Sequence, residues 1–253
     1  MTVKYMKEHV TAGSLPGLPY LDFFRLLNER LRPETYFEIG TNQGASLAAF
    51  ACDALCVDPA FIVETNVLSA RTRSFFFQMG SDTFFRQHKI RRFFPEGPDI
   101  CFLDGMHRFE YLLRDFANTE RECHPGSLIL LHDCLPLNQR MTERVPRRDE
   151  QEDESTRYAW TGDVWRMLPT LKKYRPDLRI LVLDCGPTGL VACSRVDPAS
   201  DVLRRRYDEI VDEMFDLDLD GLGMQKLWTL FPMIDTARLA ANPADLTAVF
   251  NIF

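Results

Sequence analysis

Hydrophobic positions along the chain change period twice. Over residues 18–31, Leu21, Phe24, Leu26, Leu27 and Leu31 fall at mostly helical spacing, which predicts an amphipathic helix ending before Pro33. From Tyr36 onward the apolar residues come instead in short, near-continuous runs. Tyr36-Phe37-Glu38-Ile39 stops at Gly40, Ala54-Leu55-Cys56-Val57 at Asp58-Pro59, and Phe75-Phe76-Phe77-Gln78-Met79 at Gly80-Ser81-Asp82. Asp99-Ile100-Cys101-Phe102-Leu103 stops at Asp104-Gly105, and Ser127-Leu128-Ile129-Leu130-Leu131 at His132-Asp133. Such runs predict buried strands, and most gaps between them read as helix. Gly44 to Ala51 is small and Ala-rich, and Phe109, Leu112, Leu113 and Phe116 share one helical face.

Strand–helix alternation with apolar strands predicts an α/β fold: a mostly parallel sheet with helices on both faces. Two further strand-like runs, Leu178 to Leu183 and Gly189 to Ser194, are separated only by Asp184-Cys185-Gly186-Pro187-Thr188. That gap cannot hold a parallel crossover, so these two form an antiparallel hairpin and bring the sheet to seven strands. The domain reading is an N-terminal helical segment (1–35), a core domain (36–196) and a helical C-terminal extension (197–253). Residues 138–160 are charged and weakly periodic. They read equally as a mobile lid or a solvated insertion. The Asp216-Leu217-Asp218-Leu219-Asp220 run lacks the central Gly and terminal Glu of a calcium loop.

With 253 residues, 45% of them hydrophobic, the chain can bury a core of its own. A net charge of −7 argues against nucleic acid as a partner. The basic cluster Arg86 to Arg92, flanked by Phe84, Phe85, Phe93 and Phe94, reads as an exposed helix end and turn. No apolar run approaches the ~20 residues of a membrane span, and Met1-Thr2-Val3-Lys4-Tyr5 has no signal layout. The expectation is a cytoplasmic chain with no membrane partner. The seven cysteines are scattered, without Cys-x-x-Cys or zinc spacing, and are expected mostly as core residues.

The chemistry-bearing residues sit where strands end. Gly40 lets the chain turn as it leaves the first strand, and Gly44 permits close approach of a ligand or of the strand to the following helix. Asp58, twenty residues after Glu38, can accept both hydroxyls of a ribose, or can cap a helix. Ser81 and Asp82 can cap the next helix or bond an adenine edge.

Glu38-Ile39-Gly40-Thr41-Asn42-Gln43-Gly44-Ala45-Ser46 resembles motif I of the class I S-adenosylmethionine-dependent methyltransferases. The reversed hairpin Leu178 to Ser194 is similar to that fold's last strands. Phe102-Leu103-Asp104-Gly105-Met106-His107-Arg108-Phe109-Glu110-Tyr111 and Pro125-Gly126-Ser127-Leu128-Ile129-Leu130-Leu131-His132-Asp133 resemble blocks of its small-molecule O-methyltransferase branch, which includes macrocin-type sugar methyltransferases. The resemblance covers roughly Tyr36 to Ser194 and implies a Rossmann-like sandwich. It implies that Glu38 and the Gly40–Gly44 loop, with Thr41, Asn42 and Ser46, hold the methionine part of S-adenosyl-L-methionine. It places Asp58 at the ribose, Ser81 and Asp82 at the adenine, and Asp104, Gly105 and His107 between cofactor and acceptor.

The acceptor implied is a small molecule, with a sugar or natural-product hydroxyl as the first expectation. Its proton can leave by two routes. Asp104 and Asp133 can hold Mg²⁺, which lowers the hydroxyl's pKa, or His107 or His132 can serve as base without metal. Against the metal route, Met106 stands where sugar-modifying members often read Asp, and Cys134 follows Asp133 where metal-dependent relatives read Asn or a second acid. Asp104→Ala is expected to abolish turnover on either route. Tyr158, Trp160 and Trp165 are candidates for the acceptor side or for core anchors, and a Phe-rich tail can pack on a second copy of the chain. Two rivals remain: an NAD-dependent oxidoreductase, disfavoured because Asn42 stands where a dinucleotide loop needs its second glycine, and a non-catalytic partner protein.

Overall fold

Strands buried on both faces need apolar side chains on both, and the short apolar runs meet that condition. The computed structural model describes residues 14–64, 66–68, 71–146, 160–242 and 246–252. The runs become β1 (Thr35–Ile39), β2 (Asp53–Asp58), β3 (Ser74–Gln78), β4 (Ile100–Leu103), β5 (Leu128–His132), β6 (Arg179–Leu183) and β7 (Leu190–Ser194), joined by a short β8 (Met233–Ile234). The order is β3-β2-β1-β4-β5-β7-β6-β8. β1 to β5 pair in parallel, while β7 inserts antiparallel between β5 and β6, as the five-residue gap requires. The sheet therefore has eight strands rather than seven. β8 lies in the tail expected to be helical and adds two residues beside Val182 and Leu183 of β6.

Side-chain alternation divides the core in two. One face carries Phe37, Ile39, Cys101, Leu103, Ile129 and Leu131. It is covered by α2 (Ser81–Gln87), α3 (Phe109–Glu120), α4 (Met167–Tyr174) and, past a short α5 (Val202–Arg205), α6 (Tyr207–Asp216). The other face carries Tyr36, Cys56, Ile100, Phe102, Leu128 and Leu130. It is covered by α1 (Tyr20–Leu31), which buries Phe23, Phe24 and Leu27, and by the end of the chain. There, beyond α7 (Leu219–Leu222) and α8 (Met224–Trp228), α9 (Thr236–Ala241) and α10 (Leu246–Phe250) supply Leu239, Leu246 and Phe250. Phe250 packs on Phe23 with ring centroids 6.4 Å apart, so this aromatic of the tail is spent within the chain.

The helix expected from Gly44 to Ala51 is not formed. Only a 3₁₀ turn, Leu47–Ala49, appears. Gly44, at φ 82°, turns the chain with its N–H on the Thr41 carbonyl, and the backbone is extended again by Phe50, at φ −107° and ψ 142°. Arg71 closes the truncated turn by donating to the carbonyls of Leu47, Phe50 and Cys52. The loop after β1 therefore has no α-helix N-terminus behind it. No helix follows Asp58 either among the described residues, which removes its reading as a helix cap.

The acidic run near 218 has a local role. The Asp218 side chain accepts from the backbone N–H groups of Asp220 and Gly221 and caps α7. All seven cysteines are free, and six are buried. Arg86 lies in the last turn of α2 and Arg91 and Arg92 occupy a 3₁₀ turn, the helix-end arrangement expected of that cluster. Among the described residues no helix is long and apolar enough to cross a membrane. Residues 147–159, which hold Tyr158 and most of the lid reading, lie outside those described; residues 140–142 form a 3₁₀ turn with Met141 buried.

Candidate active site

The adjacent carboxyl ends of β1 and β4 approach so closely that only glycine fits between them. Gly40 has φ +90°, and a Cβ there would stand 2.0 Å from the Asp104 carbonyl oxygen. The Asp104 N–H donates to the Ile39 carbonyl at 2.9 Å, and the Gly40 N–H to Val57 at 2.9 Å. The loop is then tied to β2. Asn42, at φ 46°, donates its N–H to Asp58 Oδ2 at 2.8 Å, while Asp58 Oδ1 accepts from the Ala60 N–H at 2.7 Å. Each Asp58 oxygen keeps acceptor capacity beyond these bonds.

These strand ends open on a cavity of about 780 Å³. Gly40, Asn42, Asp58, Ser81, Asp82, Asp104, Gly105, His107, His132 and Asp133, all singled out in the sequence, line it, as does Trp160. Glu38, Thr41, Gly44 and Ser46 do not: they lie behind its wall. Glu38 is fully buried and accepts from the Tyr36 hydroxyl at 3.0 Å and from the Ser46 hydroxyl, leaving Oε2 without a partner. Burial pushes its carboxyl up to about 7 against those bonds. The Thr41 hydroxyl is also buried without a partner. Asp82 is bound at both oxygens by Arg114, at 2.9 and 2.8 Å, which limits what else it can accept. Trp165 is 1% exposed and anchors the core.

At the β4–β5 end, four titratable groups converge. His107 Nε2 lies 3.2 Å from Asp104 Oδ1 and 3.2 Å from Asp133 Oδ2. His132 Nδ1 lies 3.3 Å from Asp104 Oδ1 and 3.4 Å from Asp133 Oδ1, which also accepts from the Thr188 hydroxyl. Asp133 sits at φ 58° and His107 at φ 26°, so two non-glycine residues of the cluster occupy uncommon backbone regions. Burial works against charge on Asp104, His107 and His132, and pairing overrides it. The two carboxylates, Asp133 foremost, hold His107 up to about 9 and His132 well above its ordinary range. Burial would raise Asp104, yet His132 and His107 keep it well below the usual carboxylate range. Among the described residues, the set that could hold a metal ion is Asp104, His107 and Asp133, whose ligand atoms all lie within 4.8 Å of one another. It contains both residues expected to hold Mg²⁺ and adds an imidazole.

The cavity also takes in residues that sequence reasoning missed: Tyr20, Tyr111, Asp115 and Pro187. Tyr20 opens α1, packs against His132 with centroids 4.5 Å apart and rings tilted at 42°, and has its hydroxyl pushed well up by burial and then by Asp104 and Asp133. Nothing in the local pattern of α1 distinguishes it. Asp115 did carry a signal: it is a carboxylate on the buried face of α3, between Leu112 and Phe116.

Residues 37–134 match the family model described as "Methyltransferase domain". A search of curated proteins finds no match. Among solved structures, the chain is similar to the S-adenosylhomocysteine-bound methyltransferase PaMTH1 of Podospora anserina, at 12% identity over 69% of this chain and 77% of that one, with a TM-score of 0.50. It is also similar to the O-methyltransferase TomG of Streptomyces achromogenes, solved with S-adenosylmethionine (16% identity, 69% and 78% covered, TM-score 0.47). A third is an O-methyltransferase of Bacillus cereus solved with S-adenosylhomocysteine (14%, 76% and 90%, TM-score 0.45). At these identities the likeness to the Podospora enzyme is one of fold: the chain has the Rossmann-like α/β sandwich of class I methyltransferases.

Proposed function

We propose that this chain, whose residues 37–134 carry a methyltransferase domain, moves a methyl group from S-adenosyl-L-methionine to a hydroxyl of a small molecule. One observation carries the reading. A single cavity of about 780 Å³ holds the Gly40–Asn42 loop and Asp58 together with the Asp104–His107–Asp133 cluster. That combination offers a nucleoside-binding wall next to groups that can manage a proton. When bound, the cofactor supplies an electrophilic methyl group and its own leaving group, so the protein's work is orientation, exclusion of water and proton handling.

The residues fit such a cofactor. Asp58 presents two oxygens with spare acceptor capacity for a diol. The buried Glu38 Oε2 and Thr41 hydroxyl, both unpartnered, underlie the loop and give it polar support for a charged ligand. Gly105 leaves the floor beside Asp104 bare, because any side chain there would press on Ile39 at 3.2 Å. On the acceptor side, Tyr20, Tyr111 and Trp160 offer aromatic walls of the kind that bury a sugar or planar ring.

His107 is the group we assign to the acceptor's proton. Its Nδ1 faces the Trp160 carbonyl at 2.9 Å, so the ring is held with Nε2 toward the two carboxylates. At neutral pH it rests as an imidazolium between them, and in its neutral form Nε2 is the acceptor. Asp104 and Asp133 orient it and stabilise the charge it gains. His132, buried and on the same carboxylates, is placed to balance their charge.

A second reading uses the same atoms. Two carboxylates and an imidazole whose other nitrogen is bonded to a carbonyl also suit a divalent cation, which would lower the hydroxyl's pKa itself. Protonation of Nε2 and coordination through it exclude each other, so the readings are separable.

Calorimetric titration with S-adenosylhomocysteine and with NAD tests the function. Binding of the first and not the second is expected; the reverse would return the chain to the oxidoreductase class. Assay of methyl transfer before and after chelation, with Mg²⁺ or Mn²⁺ restored, then decides between base and metal.

A further inference from the structure

The first turn of α1 is strapped to the turn between β6 and β7. The Tyr20 N–H donates to the Gly186 carbonyl at 3.0 Å, the Gly186 N–H returns to Leu18 at 3.0 Å, and the Gly17 N–H donates to Asp184 at 2.9 Å. Backbone bonds thus fix Tyr20, which lies outside the matched residues 37–134, in the cavity wall. Its ring packs on His132, with centroids 4.5 Å apart, and on Phe102, 6.2 Å away, within the α1 layer of the core.

The Tyr20 hydroxyl is not spent on this packing. It makes no hydrogen bond to another described residue, and unlike Glu38 Oε2 and the Thr41 hydroxyl it is not a sealed atom. The acids that act on it are Asp104, then Asp133, then Glu38. Asp104 and Asp133 are the pair that holds His107 Nε2, and His107 leads into α3 on the opposite face of the sheet. An oxygen brought to that pair therefore meets the His107 ring from one side and the Tyr20 hydroxyl from the other.

We propose that the Tyr20 hydroxyl donates to the acceptor oxygen that receives the methyl group. The assignment rests on the O-methyl transfer reading above and adds a substrate-binding residue from outside the matched domain. A hydroxyl oxygen has one proton and two lone pairs. The proton goes to His107, one lone pair takes the methyl carbon, and the other accepts from Tyr20, which keeps its own proton throughout. Three fixed contacts leave the oxygen one orientation, and orientation is what the protein contributes to such a displacement. The ring of Tyr20 without its hydroxyl would be a wall and would not choose between two oxygens.

Tyr20→Phe is the test, because it deletes the hydroxyl and keeps the ring against Phe24, Phe102 and His132. The probe acceptor is 4-nitrocatechol, a flat ring suited to the Tyr111 and Trp160 walls, whose two hydroxyls differ. The readouts are kcat for methyl transfer from S-adenosyl-L-methionine, the ratio of the two monomethyl ethers formed, and S-adenosylhomocysteine affinity by calorimetry. Wild type is expected to make one ether in excess. The variant is expected to lose about 10- to 100-fold in kcat, to bring the two ethers closer to equal amounts, and to bind S-adenosylhomocysteine as wild type does. Equal ethers in wild type, or a ratio unchanged in Tyr20→Phe, overturns the proposal whatever the rate does. So does a fall in rate matched by a loss of S-adenosylhomocysteine affinity, which would put the hydroxyl on the cofactor. Wild type that binds S-adenosylhomocysteine yet leaves 4-nitrocatechol unmethylated overturns the assignment of Tyr20 and leaves the cofactor reading standing. Wild type that does not bind S-adenosylhomocysteine overturns the cofactor reading itself.

Discussion

His107 and Trp160 are joined twice. The imidazole Nδ1 lies 2.9 Å from the Trp160 carbonyl oxygen, and the two rings stack with centroids 5.0 Å apart at 25°. A carbonyl only accepts, so Nδ1 carries a proton and Nε2 is the atom turned to Asp104 and Asp133. With His107 held up to about 9, the base form grows as pH rises toward that value. On the metal-free reading, kcat/KM in chelated protein should rise about tenfold per pH unit below that value and level above it. His107→Gln should lower activity by about 10²-fold or more and flatten the profile. A profile that stays flat in wild type would remove His107 as base.

Asp104 is shared by both histidines of the cluster, at 3.2 and 3.3 Å. Asp104→Ala leaves two cationic rings facing Asp133 alone. It should abolish methyl transfer and cost about 3–5 kcal/mol of stability, as when one partner of a buried pair is removed. Activity and a denaturant midpoint measured on one preparation separate the two effects. Full activity in this variant would dismiss the site.

Gly40→Ala tests the backbone contact that brings the loop to Asp104. The added methyl meets the Asp104 carbonyl at 2.0 Å in a conformation with φ +90°. Strain of this kind costs about 1–3 kcal/mol before the clash is counted, and the displaced Asp104 should carry activity down with it. Thermal unfolding within a degree of wild type would contradict the geometry.

Asp115 makes stability depend on pH. Its carboxyl moves from 3.8 up to about 7 on folding, so its contribution is fully present below about 3.8 and is lost as pH rises through about 7. A difference of that size is worth about 4 kcal/mol. Asp115→Asn removes the penalty. Its melting temperature should exceed that of wild type at pH 8 and approach it near pH 4, as read by calorimetry.

Parts of the site were legible because they follow from strand ends. Each apolar run stops at the residue that the fold delivers to the cavity, as at Gly40, Asp58, Asp104 and Asp133. The hairpin was legible too, since five residues cannot cross a sheet. The 3₁₀ turn after Gly44 was not: Ala-rich composition favours helix, but tertiary context overrides propensity, with Arg71 taking up the Leu47, Phe50 and Cys52 carbonyls. Nor could the pattern distinguish Glu38 and Ser46, which bond one another behind the cavity wall, from the residues that face into it.

The sequence by itself determined the first seven strands, the reversed last pair and the strand-end positions of the chemistry, because hydrophobic period and gap length are local quantities; the missing helix after Gly44 and the added β8 were not among them. Tertiary structure alone decided which residues meet. Tyr20 packs on His132, Arg114 takes up Asp82, and Asp115 is left with a buried, unpaired oxygen, through contacts between residues distant in the chain. Charge followed the same rule. Whether an Asp or His in this cavity carries a proton depends on burial and on partners brought together by folding, and neither can be read along the chain.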